Sequence, residues 1–219
     1  MTIQLLLLIV AYAVPLLFAI AMHETAHGFV ARYFGDPTAA DAGRLSLNPL
    51  RHIDPFGTIL LPLALYYSTG VPFGYAKPVP VDFSRLRNPK KHMALVALAG
   101  PMSNFFMGLG WMVFLYCLML SGAPGQFAIK MATVGVSVNA AMFVFNLIPI
   151  PPLDGGRIVT GMLPLPQARQ FASIERHSLT VFIVLIVLMQ LHVLDGALMR
   201  AMSVVIEVFR LLLKPFFPF

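Results

Sequence analysis

The sequence predicts an all-α polytopic membrane protein, and its composition and the distribution of its charges are the observations behind this. Of its 219 residues, 58% are hydrophobic and 11% are charged, whereas soluble domains average about 25% charged residues. No Asp, Glu, Lys or Arg occurs in residues 1–22, 55–76, 92–129, 131–153 or 177–194. Because about 20 apolar residues cross a bilayer as a helix, we expect about four to six membrane helices in one membrane-embedded domain over residues 1–219.

The N-terminal half predicts one long helix followed by a segment that does not cross the bilayer. The helix covers residues 3–33, and Gly35-Asp36-Pro37 ends it before a loop over residues 36–56. Residues 58–69 are apolar, but as a helix they cover only about 18 Å of a core of about 30 Å. Residues 71–81 include Pro78 and Pro80 and are predicted to be extended. A re-entrant or extended segment therefore separates the first two long helices.

The C-terminal half predicts further membrane spans that are separated by proline-rich or polar segments. Long helices are expected over residues 93–120 and 127–148, and a fourth span over residues 178–193. Residues 157–176 are predicted to form a polar loop. The tail over residues 197–214 is either a further crossing or an interfacial helix, since it contains charged residues among apolar ones.

The net charge of +6 and the single cysteine exclude some classes of partner and site. The basic residues cluster in loops such as residues 77–91 rather than along a helix, which argues against nucleic acid and is typical of loops beside a lipid bilayer. Cys117 lies within an apolar run. A lone cysteine excludes both an intrachain disulfide and a cysteine-based zinc site.

The first helix contains the pattern H-E-x-x-H, which begins at His23 and ends at His27. Residues four apart lie on one face of a helix, so both imidazoles can bind one metal ion, with Glu24 beside them as a base. Two histidines lining a polar helix face are the alternative. Ionisable side chains in a membrane helix are costly and usually functional, so the pattern favours a metal site, and zinc is the natural ion.

A catalytic zinc site usually has three protein ligands, so a third ligand is needed. The other histidines and the carboxylates near apolar spans are His52, His92, His177, His192, Asp54, Asp82, Asp154, Asp195 and Glu207. Asp154 stands out because prolines and the pair Gly155-Gly156 allow the backbone to turn at the end of a span. The alternative is an aspartate in a turn or at a helix N-cap.

Three motifs together resemble the site-2 protease family of intramembrane zinc metalloproteases. They are the H-E-x-x-H pattern, the stretch from Ala99 to Asn104, and Asn-x-x-Pro-x-x-x-x-Asp-Gly, which runs from Asn146 to Gly155. The resemblance implies one zinc ion per chain, with His23, His27 and Asp154 as ligands and Glu24 as the base. The loop from Asn48 to Gly57 and the stretch from Gly74 to Pro78 also resemble the family's short subgroup, which lacks PDZ and CBS domains. The family resemblance further implies a transmembrane protein substrate, such as an anti-sigma factor or similar regulator.

The orientation in the membrane follows from the requirement that the ligands of one ion lie at one depth. His23 is about 13 Å from the end of its helix, near the loop that follows, so the span before Asp154 must end on that same side. This agrees with a re-entrant segment at residues 58–69. The loops over residues 32–51, 77–91 and 157–176 then share that side, which the positive-inside rule makes cytoplasmic. We expect a multi-pass protein of the cell (inner) membrane with its active site nearer the cytoplasm.

Two further residues and one segment are candidates for accessory roles. Asn146 either stabilises an oxyanion or packs against or binds the substrate backbone, and His52 either approaches the site or is a loop histidine. The extended residues 71–81 either pair with an unwound substrate as an added strand or form a stiff connection. The competing functions are a membrane metal-ion transporter, for which the expected internal repeats are missing, and an inactive protease homologue.

Overall fold

The computed structural model describes residues 2–69 and 74–217, and these form helices joined by turns and one extended segment. The element order is α1 (Ile3–Tyr33), α2 (Thr38–Asp41), α3 (Leu61–Thr69), α4 (Pro89–Leu120), α5 (Gln126–Asn146), α6 (Asp154–Met162), α7 (Leu165–Ala172), α8 (Ser178–Gln190) and α9 (Asp195–Leu213). Short 3₁₀-helices cover Pro49–His52, Phe83–Arg85 and Ser173–His177, and a π-helical turn covers Pro55–Leu60. The prediction of an all-α architecture is confirmed.

Within the described residues, four helices are long and apolar enough to cross a membrane. They are Ile3–Tyr33, Pro89–Leu120, Gln126–Asn146 and Leu165–Gln190, of which the last joins α7 and α8 through the 3₁₀-helix. This number agrees with the predicted polytopic membrane protein. The helix α3 and the π-helical turn before it fall short of this length, and the re-entrant character of residues 58–69 stays a prediction.

The helices α1, α4 and α5 pack closely because small residues line their contacts. A Cβ on Gly135 of α5 would lie 2.3 Å from the Trp111 ring of α4, and one on Gly108 of α4 would lie 3.3 Å from Asn139 of α5. Small residues allow membrane helices to approach in this way, since the surrounding lipid supplies no hydrophobic driving force between them. The three helices therefore form the frame that carries the buried polar side chains Asn104 and Asn139.

The helix α9 covers the other side of α4 and α5 with one apolar face. Val205, Phe209 and Leu213 of α9 form a core cluster with Met112 of α4 and with Val136 and Ala140 of α5. Its charged residues Arg200, Glu207 and Arg210 are exposed. One face of α9 is therefore buried and apolar, and the other is exposed and charged.

The structure differs from the sequence prediction at residues 157–176, which were expected to be a polar loop. They belong to α6, α7 and a 3₁₀-helix. The helix α6 begins at Asp154 because Gly155 and Gly156 pack directly under the preceding turn, where a Cβ would lie 2.4 Å from the Ile148 carbonyl oxygen or 2.2 Å from the Pro151 nitrogen. The glycines thus permit a helix to start against the turn rather than forming the turn themselves.

The extended segment between α3 and α4 is confirmed over the part that the structure describes. Residues 74–82 form no helix, and residues 70–73, with the start of the predicted segment, lie outside the described residues. The N–H groups of Tyr75 and Lys77 donate to the carbonyl oxygens of Gly57, at 2.9 Å, and His52, at 3.0 Å. The buried carboxylate of Asp36 accepts from the Asp82 N–H at 2.7 Å. The first two bonds hold the segment against the short helical turns that contain His52 and Gly57, and the third holds it against the residues that follow α1.

Candidate metal centre

The helix α1 places the two histidines of the H-E-x-x-H pattern side by side, facing α4. Their rings meet edge to face with centroids 4.7 Å apart, and their Nε2 atoms are 3.1 Å apart. The opposing position on α4 is Gly100, where a Cβ would lie 2.4 Å from the His27 Nε2 atom and 2.7 Å from the His23 Cε1 atom. A glycine at this position leaves the room that both rings require.

The other nitrogen of each imidazole makes a short hydrogen bond to α4. His27 Nδ1 lies 2.7 Å from the carbonyl oxygen of Val96, and His23 Nδ1 lies 2.6 Å from the Oδ1 atom of Asn104. A carbonyl oxygen only accepts, so the Nδ1 atom of His27 carries the hydrogen, and in the neutral imidazole the Nε2 atom then has a free lone pair. Such a bond at the second nitrogen fixes the orientation of a metal-binding imidazole.

Asp154, the first residue of α6, reaches the same point from the opposite side. Its Oδ2 atom is 3.1 Å from His23 Nε2 and 3.4 Å from His27 Nε2, and its side chain is 8% exposed. This Oδ2 atom is buried and has no hydrogen-bond partner. Ligand atoms of His23, His27 and Asp154 all lie within 4.8 Å of one another.

This arrangement fits a zinc ion. A carboxylate oxygen and imidazole Nε2 atoms are electron-pair donors, and their convergence without an intervening hydrogen-bond donor is unfavourable unless a cation lies between them. Two histidines and one carboxylate are a known ligand set of catalytic zinc, which leaves a fourth position open for water or substrate. The buried, unpartnered Oδ2 atom of Asp154 is thus explained by a bound metal ion.

Glu24, next to His23 on α1, is bonded to the extended segment. Its Oε2 atom accepts a hydrogen bond from the Val79 N–H at 2.8 Å. The Val79 side chain is buried and faces Gly28, where a Cβ would lie 2.9 Å from the Val79 Cγ1 atom. The glutamate is therefore linked to the backbone of the segment for which the sequence leaves two roles open, pairing with substrate or a stiff connection.

The structure keeps the two accessory candidates out of the histidine and aspartate cluster. His52 is 1% exposed, and its Nε2 atom donates to the Ser46 carbonyl oxygen at 2.8 Å, beside Thr25 of α1. It supports the opposite face of α1. The Nδ2 atom of Asn146 donates to the Met142 carbonyl oxygen of its own helix at 2.9 Å. Among the described contacts, neither side chain bonds to His23, His27 or Asp154.

Several residues of this region were not singled out from the sequence. Asn104 was noted only as part of a small-residue stretch, and Asn139, Gly100 and Val79 received no role. A signal for the two asparagines was present, because amide side chains in otherwise apolar membrane spans are costly unless they find partners. No comparable signal in the sequence indicates the contacts of Gly100 and Val79, because these contacts are with segments that are distant in the sequence.

Comparison with known proteins agrees with this geometry. The sequence profile of peptidase family M50 matches residues 121–191, which include Asp154. The chain is similar to YwhC of Bacillus subtilis, which carries the name of a zinc metalloprotease, with 37% identity over 182 residues covering 80% of this chain and 78% of YwhC. No solved structure matches.

Two more distant relatives also carry names of zinc metalloproteases. Rip2 of Mycolicibacterium smegmatis is 28% identical over 172 residues, which cover 78% of this chain and 64% of Rip2. MJ0611 of Methanocaldococcus jannaschii is 36% identical over 64 residues, which cover 29% of this chain and 31% of MJ0611. The chain thus spans less than two thirds of these two relatives.

The helices, the cluster of two histidines and an aspartate, and these relatives define a membrane-integrated zinc metalloprotease. The chain belongs to peptidase family M50, the site-2 protease family. This confirms the predicted class of enzyme and its metal, and it argues against the metal-ion transporter.

Proposed function

We propose that this enzyme hydrolyses peptide bonds in or near transmembrane segments of membrane proteins, with His23, His27 and Asp154 holding one zinc ion and Glu24 acting as the base. The observation that carries the proposal is the buried convergence of two Nε2 atoms and the unpartnered Asp154 Oδ2 atom. When bound, zinc lowers the pKa of water and polarises a carbonyl group.

The residues of the chain provide the remaining steps. Asn104 and the Val96 carbonyl hold the two imidazoles by their Nδ1 atoms. The Val79 N–H holds Glu24 by Oε2, which leaves Oε1 to accept a proton from the attacking water. Glu24 then returns that proton to the amine nitrogen of the leaving fragment as the peptide bond breaks. Asn146 is our candidate donor to the oxyanion, which requires its side chain to leave the Met142 carbonyl.

A transmembrane substrate must unwind locally before it can be cut. The carbonyl groups of a membrane helix are satisfied within the helix, so hydrolysis requires a stretch of substrate to become extended. Residues 74–81 are themselves extended and mostly exposed. We propose that they pair with the unwound substrate as an added strand, beside the Glu24 carboxylate to which Val79 is bonded.

The biological substrate that we propose is a membrane-anchored regulator, such as an anti-sigma factor or the transmembrane remnant that an earlier cleavage leaves. This follows from the family rather than from a contact in the chain. The enzyme would act in the inner membrane, with its site nearer the cytoplasm, because the basic loops lie on the side of the H-E-x-x-H pattern.

The test uses the full chain in detergent with a panel of single-span membrane proteins, and mass spectrometry locates each cut. We expect zinc-dependent cleavage by the wild type, which a chelator stops. Glu24→Gln keeps one zinc ion per chain but cleaves at least about 100-fold more slowly. Glu207→Gln is the matched control, because this exposed carboxylate pairs with Arg210 on α9 and should leave cleavage unchanged.

Two outcomes would contradict the proposal. Wild-type rates in Glu24→Gln would remove the glutamate from the chemistry. Zinc bound without cleavage of any substrate in the panel would contradict the proteolytic activity on membrane segments, and metal flux into vesicles would then be measured.

A further inference from the structure

A line of buried amide groups joins His23 to the interior of α5. Asn104 on α4 and Asn139 on α5 are both 0% exposed. The Asn104 Oδ1 atom is 2.6 Å from His23 Nδ1, and its Nδ2 atom is 3.1 Å from the Asn139 Oδ1 atom. The Asn139 Nδ2 atom is 2.8 Å from the Gly135 carbonyl oxygen. The line thus spans three membrane helices without a charged group.

The direction of every hydrogen bond in this line is fixed by its far end. The Gly135 carbonyl can only accept, so the Asn139 amide must donate to it with Nδ2 and present Oδ1 to Asn104. Asn104 must then donate with Nδ2, which leaves its Oδ1 as the atom that faces His23. An acceptor at this position requires His23 Nδ1 to carry the hydrogen.

A second carbonyl enforces the same direction. The Asn104 Nδ2 atom also lies 3.1 Å from the carbonyl oxygen of Ala19, one turn before His23 on α1. If the Asn104 amide were flipped, oxygen would face oxygen at both Ala19 and Asn139. Two independent acceptors therefore oppose the flipped amide, and both are buried where water cannot compensate.

We propose that Asn139, acting through Asn104, sets the tautomer of His23, so that Nδ1 is protonated and Nε2 is free to bind the metal. Asn104 and Asn139 are positioning residues, and Asn139 acts without any contact to the metal ligands. The proposal rests on the role of His23 as a zinc ligand in the proposed function. His27 needs no such line, because the Val96 carbonyl fixes its tautomer directly.

The alternative is that the two amides only join the helices. Interhelical hydrogen bonds between polar side chains do stabilise membrane bundles, and loss of such a bond would lower the melting temperature. It would not by itself change the state of one imidazole while leaving its neighbour unchanged. The two histidines therefore provide an internal comparison.

The test measures the ring N–H groups and the zinc affinity of the full chain in detergent at pH 8. With ¹⁵N-labelled histidine, NMR gives the rate at which each Nδ1–H exchanges with water, with and without zinc, and single histidine variants assign the signals. Competition with a chelator gives the zinc Kd. The variants are Asn139→Leu, which removes one of the two acceptors of the Asn104 amide and leaves the Ala19 carbonyl, and Asn139→Ser.

The serine variant guards against a failure to fold. A serine hydroxyl in a helix can donate to the carbonyl four residues earlier, here Gly135, but is too short to replace the amide beside Asn104. The matched control is Met112→Ala, which opens the core between α4, α5 and α9 and should lower the melting temperature. Met112 takes part in none of the hydrogen bonds of the line from Gly135 to His23.

We expect Asn139→Leu and Asn139→Ser to raise the zinc Kd about tenfold, the low end of the range for loss of a direct partner of a metal-binding histidine, because Asn104 stays in place but is held by the Ala19 carbonyl alone. Exchange of the His23 Nδ1–H should speed up by at least about tenfold. The His27 signal should not change. The double variant Asn104→Leu with Asn139→Leu should bind zinc no more weakly than Asn104→Leu alone, because both act through one contact. Met112→Ala should change neither quantity.

The proposal is overturned if both Asn139 variants keep the His23 exchange rate and the zinc Kd within about twofold of wild type, less than the loss expected for such a partner. Equal effects on His23 and His27 would also overturn it. Failure of the proposed function has a different signature. In that case His23→Ala would bind zinc as the wild type does, while the exchange rates without zinc would still report on the tautomer.

Discussion

The backbone N–H of Val79 donates to the Oε2 atom of Glu24 at 2.8 Å, across 55 positions of sequence. Val79 stands between Pro78 and Pro80, which have no N–H group, so it carries the one amide hydrogen of this three-residue stretch. That hydrogen is bonded to the glutamate beside the two histidines. A direct hydrogen bond therefore joins the extended segment to the proposed base.

Replacement of Val79 by proline tests this connection. A proline at this position removes the N–H group while keeping an extended backbone. Because a hydrogen bond to a charged group contributes about 1.5–3 kcal/mol, we expect kcat for a membrane substrate to fall about tenfold or more, with zinc content unchanged. Val79→Ala keeps the N–H group and is the control for the lost side chain. A slower Val79→Ala than Val79→Pro would contradict the prediction.

Gly100 and Gly110 of α4 form a matched pair for testing the space around the histidines. A Cβ at Gly100 would lie 2.4 Å from His27 Nε2, whereas a Cβ at Gly110 would meet nothing within 4 Å. We expect Gly100→Ala to weaken zinc binding at least about tenfold, because it moves both rings away from Asp154. Gly110→Ala should bind zinc as the wild type does. Equal affinities for the two variants, from chelator competition, would show that the rings do not need this space.

The membrane helices could be predicted from the sequence because the solvent that surrounds them is apolar. The prediction of residues 3–33 for the first helix agrees with α1 at both ends. The start of α4 at Pro89, rather than residue 93, was missed because its first turn contains Lys90 and Lys91 and is capped by Asn88. Hydropathy separates lipid from water but does not separate a surface helix from a loop, so α6 and α7 were taken for a loop.

The site was predictable where its geometry follows from helical periodicity. The spacing of His23 and His27 fixes their common face, and the structure brings them to Asp154. The partners that hold them could not be derived in this way. His23 meets Asn104 at a separation of 81 residues, and Asn104 meets Asn139 at 35. Such pairings depend on how three helices pack, which no local pattern encodes.

Asp154 can be tested through the effect of zinc on thermal stability. A ligand at 1,000 times its Kd stabilises a protein by about 4 kcal/mol, so zinc should raise the melting temperature of the wild type in detergent. Asp154→Asn should lose most of this increase. Without zinc its melting temperature should not fall, because the new amide can donate to the His23 Nε2 atom 3.1 Å away.

Asp82→Asn is the control for this measurement. Hydrogen bonds from the Ser84 hydroxyl and N–H lower the pKa of Asp82, so this carboxylate is also charged at pH 8, but it is separate from the cluster of His23, His27 and Asp154. Zinc should stabilise this variant as it does the wild type. An undiminished zinc effect in Asp154→Asn would exclude this residue as a ligand.

The orientation of the chain in the membrane can be tested with single cysteines. Cys117 is the one native cysteine, so Cys117→Ala is the parent. Into this parent we place either Gln126→Cys, at the start of α5, or Arg169→Cys, on α7, and both positions are exposed. The helix α5 ends at Asn146, before Asp154, so residue 126 lies at the opposite end of this span from the site.

The positive-inside rule places Arg169, together with the basic loops near Arg44 and Lys91, in the cytoplasm. In cells whose outer layer lets the reagent through and whose inner membrane is intact, a membrane-impermeant maleimide should therefore label the Gln126→Cys variant and not the Arg169→Cys variant. Disrupted membranes should label both, which controls for reactivity. Labelling of the Arg169→Cys variant alone in intact cells would reverse the orientation and move the site to the outer side, where an anti-sigma factor could not be released directly into the cytoplasm by the cut.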